Sequence, residues 1–190
     1  MRCLLCQSLS FRIICKECQR ILLEPSFYKR EVSPDFCVYS FYKIDEVKEL
    51  INTKYQFYGD RVFKILAKLS FEKFAKNFTY VDNIYAIPVD DHTRHEFSHT
   101  AILAKELNSQ NIKSKYNCLT AQNVIKYAGK DLAFRKQNKR DFICKNIKNK
   151  QVILVDDVVT TGATMLEAKE ILEKNNCEVL FGLCISDANS

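Results

Sequence analysis

Glycine and proline are scarce in this chain, at four and three of 190 residues. Each is therefore expected to sit where backbone geometry demands it. Long apolar runs are missing as well. No stretch approaches the ~20 residues that span a bilayer, and the opening MRCLLCQSLSFRIICKEC lacks the continuous apolar core of a secretion signal. A cytoplasmic location is the expectation, with reduced thiols rather than a disulfide framework. The phosphate-binding pattern GxxxxGK[ST] is absent: the Gly129-Lys130 pair is followed by Asp131 and has no glycine upstream. That excludes a P-loop nucleotide hydrolase, and with it the reading of VILVDD as the acidic strand of such an enzyme. No internal repeat or low-complexity tract is present.

What is there fits one main domain with a small appendage. A chain of 190 residues, 47% of them hydrophobic, can bury roughly 70% of its unfolded surface around a single core. Four of the nine cysteines, Cys3, Cys6, Cys15 and Cys18, form two C-x-x-C pairs. Two such knuckles complete a tetrahedral thiolate shell, which suits a structural Zn²⁺ because no position stays open for chemistry. A thioredoxin-like redox site needs a C-x-x-C at a strand-to-helix turn, and neither pair has that context. The expectation is a zinc ribbon over 1–24 and an α/β domain over 36–190. Cys37, Cys118, Cys144, Cys177 and Cys184 are expected to be buried as small hydrophobes. Arg2, Arg12, Lys16 and Arg20 on the ribbon suit a nucleic-acid contact and a solvated knuckle equally.

Beyond a loop carrying Pro25 and Pro34, FCVYSFY (36–42) reads as a strand. DEVKELINTKYQF is helical, and so is DRVFKILAKLSFEKFAKNF, where Asp60 is placed to cap and Val62, Ile65, Leu66 and Leu69 form a core-facing stripe. Strand and helix then alternate. NIYAIPV is a strand, HEFSHTAILAKELN a helix, KSKYNCL a candidate strand, QVILVDD a strand, ATMLEAKEILEKN a helix and CEVLFGLCIS a closing strand. This order predicts an α/β fold with a mostly parallel sheet covered by helices.

The densest chemistry lies in VILVDDVVTTGAT (152–164). At the C-terminal end of a parallel strand the next loop opens a helix whose first N–H groups lack intrahelical partners, and the helix dipole favours an anion there. Thr160, Thr161, Gly162, Ala163 and Thr164 are short enough for backbone amides to wrap a phosphate closely, and Val158 and Val159, which lead into them, complete the expected ligand-binding stretch. Asp156 and Asp157 look out of place beside an anion until a sugar is considered. Two carboxylates can accept hydrogen bonds from vicinal ribose hydroxyls while the loop takes the 5′-phosphate. An acidic helix cap is the plainer reading, and it leaves the run of small residues unexplained.

Four apolar residues, two acidic, two apolar and then TTGAT resemble the signature of type I phosphoribosyltransferases. Together with the four-cysteine start, the chain resembles the competence protein F (ComF, GntX-like) family over nearly its full length. The resemblance implies a phosphoribosyltransferase-like fold, phosphoribosyl pyrophosphate with Mg²⁺ as ligand, and a role in natural transformation and DNA uptake. It also implies a pyrophosphate loop in IPVDDHTRHEFSHTAILA, with Pro88, Val89 and Arg94 as matching positions. Ser98 and His99 depart from that pattern, standing where Asn and Gln are usual, and no Arg-Gly precedes Phe97. Asp90 and Asp91 would meet pyrophosphate through Mg²⁺. Lys54, Tyr55, Gly59 and Asp60 correspond to a Lys-Tyr-x-x-Gly-Asp pattern of the family with one extra residue. His92, His95 and His99 could hold a metal at their spacing, but the expectation is that they are exposed polar residues.

Charge is uneven. From 111 to 151 eleven basic residues face two acidic ones, an excess of nine, so the whole chain's +6 leaves −3 elsewhere. Within this stretch KYAGKDLAFRKQNKRDF (126–142) interleaves Lys126, Lys130, Arg135, Lys136, Lys139 and Arg140 with Tyr127, Phe134 and Phe142. Cations and aromatic platforms together bind single-stranded nucleic acid. A lid over the pyrophosphate site and an ordinary solvated loop remain open alternatives. Together with this segment, the resemblance implies a competence protein that handles incoming single-stranded DNA and binds phosphoribosyl pyrophosphate, and this is the expected function. Partners at the inner face of the membrane and a homodimer are compatible with it. The alternatives are an active phosphoribosyltransferase of nucleotide metabolism and a regulator that senses phosphoribosyl pyrophosphate.

Overall fold

The computed structural model describes residues 1–89, 97–123 and 140–189. Among them six strands form one sheet in the order β1-β2-β8-β7-β3-β4. These are β1 (Tyr28–Ser33), β2 (Phe36–Lys43), β3 (Ile84–Pro88), β4 (Ile112–Ser114), β7 (Gln151–Val159) and β8 (Glu178–Asp187). Only the β1–β2 pair is antiparallel; β2–β8, β8–β7, β7–β3 and β3–β4 are parallel. The mostly parallel α/β sheet expected from the strand-helix alternation is thus the fold of the protein.

Strand β7 shows why. Ile153 and Val155 join the apolar cluster on one face of the sheet, Val152 and Leu154 the cluster on the other. A strand buried on both faces reads as a continuous apolar run, and each such side chain contributes about 1.5–3 kcal/mol. The first face is covered by α2 (Ile44–Asn52), α3 (Gly59–Leu69), α4 (Phe71–Asn77) and α5 (His99–Glu106). The second is covered by α6 (Ala163–Lys174) and a separate antiparallel pair, β5 (Leu119–Ala121) with β6 (Phe142–Cys144).

Three local expectations are corrected. The segment holding Pro25 and Pro34 contains strand β1, which adds an antiparallel edge to the sheet. The long helix from Asp60 is two helices, because Ser70 leaves the helical track and turns its hydroxyl onto the Leu66 carbonyl at 2.7 Å. Asp60 lies in the first turn of α3 rather than capping it. The stripe still does its work: Val62 and Leu66 are fully buried, with Ile65 and Leu69 packed against the same cluster.

The cysteine-bearing start is continuous with the main core. Cys3, Ile14, Cys18 and Leu23 share one apolar cluster with Phe63 and Phe71, and the Tyr42 hydroxyl donates to the Leu23 carbonyl at 3.1 Å. No described helix is long and apolar enough to cross a membrane.

Candidate functional site

The site is built where β7 ends. Asp156 is partly buried and Asp157 buried. Each carboxylate is tied to the backbone one residue on: Asp157 N–H donates to Asp156 Oδ1 and Val158 N–H to Asp157 Oδ1, both at 2.8 Å. The second oxygen of Asp157 accepts from Lys54 Nζ at 2.7 Å and lies 3.5 Å from His99 Nε2.

Lys54 reaches this point from a single 3₁₀ turn, Thr53–Tyr55. The Thr53 hydroxyl donates to Leu50 O at 2.5 Å, closing α2 into the turn. Gly59 lets the chain pass close by, since a Cβ there would sit 2.2 Å from the Thr53 carbonyl oxygen. That packing holds Lys54 and Gly59 in fixed relation to each other. His99, at the start of α5, stacks edge-on against Phe63 at 5.6 Å. It is a largely buried neighbour of Asp157, with side-chain exposure of 20%, and not the exposed polar residue expected. His92 and His95 lie outside the described residues.

The two carboxylates are pushed apart. Burial raises Asp156, the Asp157 charge raises it further, and Arg140 opposes both without reversing them. Burial would raise Asp157 too, but Lys54 and His99 outweigh it and hold that carboxyl well below its ordinary range. Lys54 shows the counterpart: burial would lower it, and the Asp157 charge raises it above the usual lysine value. The pair therefore presents one firm acceptor and one carboxyl that can hold a proton, which suits two neighbouring hydroxyls.

The loop follows directly. Gly162 has φ +81° and serves as the N-cap of α6. A Cβ there would also meet Val32 Cγ1 at 2.3 Å, so the left-handed turn and the neighbour both demand glycine. The Thr161 hydroxyl accepts from Ala163 N–H at 3.3 Å. Asp156, Val158, Val159, Thr160, Gly162 and Thr164 line a cleft of about 20 Å³. That is room for about one water. Pro88 and Val89 end the adjacent strand: Pro88 is in register with Val155, and Val89 N–H donates to Val155 O at 2.8 Å.

Arg94, like Asp90 and Asp91, lies outside the described residues, as do Lys126, Lys130, Arg135, Lys136 and Lys139. Of the basic segment's six named cations only Arg140 is described. It stands at the mouth of the β5–β6 pair, where Gln122 N–H donates to its carbonyl at 3.1 Å and its own N–H donates to Glu167 on α6 at 3.1 Å. Its charge is felt at Asp156, so Arg140 lies near the two carboxylates.

The four cysteines of the ribbon also come together. Their sulfurs all lie within 4.8 Å of one another, and Cys6 and Cys15 are 3.8 Å apart. A tetrahedron with ~2.3 Å metal–sulfur bonds has edges of about 3.8 Å, so the set fits one ion. Backbone N–H groups of Cys15 and Cys18 point at the Cys3 and Cys15 sulfurs at 3.3 and 3.4 Å. Burial raises Cys3, but the backbone amides of Cys15, Cys6 and Leu5 bring it down to about 6. Cys18 moves the other way, through burial and the surrounding sulfurs. Four adjacent thiolates are mutually repulsive without a cation. The cluster can therefore hold a metal ion.

Sequence reasoning missed Arg30, on β1. Its Nη1 donates to Thr160 O at 2.8 Å, and its Nε lies 2.7 Å from Asp187 Oδ2. No local pattern links residues so far apart in the chain.

Comparison with known proteins finds a family likeness in the C-terminal half of the chain. Residues 101–189 match the family described as phosphoribosyl transferase domain. Over 65 residues the chain is 34% identical to an orotate phosphoribosyltransferase of Methanopyrus kandleri, covering 32% of this chain and 36% of that protein. Over 42 residues it is 51% identical to the transcriptional regulator GfcR of Methanosphaera stadtmanae, covering 22% of this chain and 21% of the regulator. The chain thus spans about a third or less of the length of these relatives. Among solved structures, Leishmania donovani UMP synthase aligns over 90% of this chain and 31% of its own, at 16% identity and a TM-score of 0.40. Over its C-terminal half, where the loop and both carboxylates lie, the chain is phosphoribosyltransferase-like.

Proposed function

We propose that this protein binds phosphoribosyl pyrophosphate with Mg²⁺ at the Asp156–Thr164 loop and single-stranded DNA through the adjoining basic segment. Its role would be the handling of incoming DNA in natural transformation. One observation carries the ligand half. Two carboxylates of opposite proton affinity stand six and five residues before a left-handed glycine that caps a helix. Ribose hydroxyls meet the first feature, and a 5′-phosphate meets the loop and the helix dipole. Mg²⁺ neutralises pyrophosphate when bound. Asp157, kept charged by Lys54, stays an acceptor, while Asp156 accepts or donates according to its proton. The four-cysteine cluster holds a structural Zn²⁺ that ties the ribbon to the core.

The placement of Arg140 favours one connection between the two halves. A cation that acts on Asp156 and also ends the basic segment makes DNA affinity sensitive to the sugar-phosphate ligand. Turnover is the second reading, supported by the likeness to an orotate phosphoribosyltransferase, and ligand sensing a third, supported by the likeness to a transcriptional regulator.

A titration of labelled single-stranded DNA with and without phosphoribosyl pyrophosphate and Mg²⁺ tests all three, combined with an assay of pyrophosphate release across nucleobases. Salt-sensitive, sequence-tolerant DNA binding is the expected result. Base-dependent release abolished by Asp157→Ala would establish a transferase. No affinity for either ligand would overturn the proposal.

A further inference from the structure

The β1–β2 hairpin does more than extend the sheet. Three contacts bring it to the phosphate loop. Arg30 donates to the Thr160 carbonyl at 2.8 Å while its Nε faces Asp187 Oδ2 at 2.7 Å. Val32 occupies the space a side chain at Gly162 would need. Asp35, at the hairpin turn, accepts from Lys169 Nζ on α6 at 2.8 Å. Val32 sits at the register shift between Glu31 and Ser33. An extra residue at a β-bulge is free of ladder pairing and turns its side chain elsewhere.

The hold on Thr160 is the informative one. In a trans peptide the carbonyl of one residue and the N–H of the next point in opposite directions. Two donors, Arg30 Nη1 and Asn189 Nδ2 at 3.0 Å, fix the Thr160 oxygen. They thereby fix the direction of the Thr161 N–H, which leaves from the other side of the same plane. A carbonyl turned toward the cradle would repel an anion; one held away offers an amide instead. The task suits arginine, because a planar fork can span a carboxylate and a carbonyl on two different elements. Its Nε and Nη2 are buried with no hydrogen-bond partner among the described residues, so Nε meets Asp187 as an ion pair alone, an arrangement that a residue kept for stability alone would not favour.

We propose that Arg30 is a positioning residue for the phosphate end of the ligand: by holding the Thr160 carbonyl it aims the Thr161 amide at the anion. This rests on the reading of the Asp156–Thr164 loop as a sugar-phosphate site. It adds a residue from an edge strand that lies outside the loop and its helix.

The test uses the full chain and ribose 5-phosphate as probe, with affinity read by calorimetry and the Thr161 and Gly162 amide signals followed by NMR. In the unaltered protein the Thr161 amide shifts as ribose 5-phosphate is added. Arg30→Gln should weaken binding about tenfold, as for one lost charged hydrogen bond, and abolish that shift. Arg30→Lys, which reaches only one of the two acceptors, should recover part of the affinity. Lys169→Met loosens the same hairpin through Asp35 without touching Thr160, and should keep both affinity and signal. Equal losses in Arg30→Gln and Lys169→Met would mean a merely structural role and overturn the inference. So would an unchanged Thr161 signal in Arg30→Gln. Failure of the unaltered protein to bind ribose 5-phosphate would instead overturn the ligand reading, and this inference with it.

Discussion

Lys54 Nζ lies 2.7 Å from Asp157 Oδ2, an ion pair between a 3₁₀ turn near the first third of the chain and the end of the central strand. Side-chain exposures of 21% and 7% place it largely out of water. Removing one partner leaves the other charge buried and uncompensated, at a cost of about 3–5 kcal/mol. Lys54→Met is therefore expected to lower the melting temperature sharply, and Lys54→Met with Asp157→Asn to recover most of the loss. Calorimetric unfolding of the unaltered protein and the two variants checks this.

The same pair sets a pH dependence. Asp157 titrates below its ordinary value in the folded protein, so its contribution is present above the unfolded carboxylate pKa of about 3.9 and fades as pH falls through the folded value. Lys54 titrates above its ordinary value, so its contribution is present below about pH 10.4 and fades only as pH rises through the folded value. Asp156, raised by burial, has the opposite sign and costs stability once pH rises past about 3.9. Asp156→Asn should therefore stabilise the protein at neutral pH and have no effect near pH 3. Melting temperatures across that range would contradict the assignment if the gain persisted in acid.

The four-cysteine cluster predicts about one bound Zn²⁺ per chain. Chelation, or Cys3→Ser, should unfold the ribbon and expose the apolar surface that Cys3, Ile14, Cys18 and Leu23 share with the main core. Apparent binding free energies of about 10–16 kcal/mol for such sites go into folding, so the whole chain should lose cooperativity. Metal analysis and a melting curve with and without chelator decide it.

How much of this the sequence could yield depends on how local each cause is. Strand β7 announced itself because its burial on both faces needs nothing but its own side chains. The C-x-x-C pairs and the small-residue loop are local too. Arg30 and Val32 were invisible, since their partners Thr160 and Gly162 lie on another strand's end and only the sheet order brings them together. His99 was misjudged for a similar reason: polarity suggested exposure, while packing against Phe63 and proximity to Asp157 hold it inside. The break at Ser70 depends on a side chain bonding back to a carbonyl four residues earlier, an option helix periodicity does not register.

Gly162 offers a prediction in which two causes separate. Its φ of +81° strains any residue with a Cβ, and that Cβ would also meet Val32 Cγ1 at 2.3 Å. Gly162→Ala should therefore destabilise through both backbone strain and collision. Val32→Ala removes only the collision, at the cost of a partly buried methyl pair. In the double variant the collision is relieved but the strain, about 1–2 kcal/mol for a left-handed non-glycine residue, persists. The two substitutions should thus be non-additive, the double variant being more stable than the sum of the singles predicts. Additive losses in denaturant unfolding would mean that the loop shifts away from Val32 on its own, and the hairpin would then no longer serve as its wall.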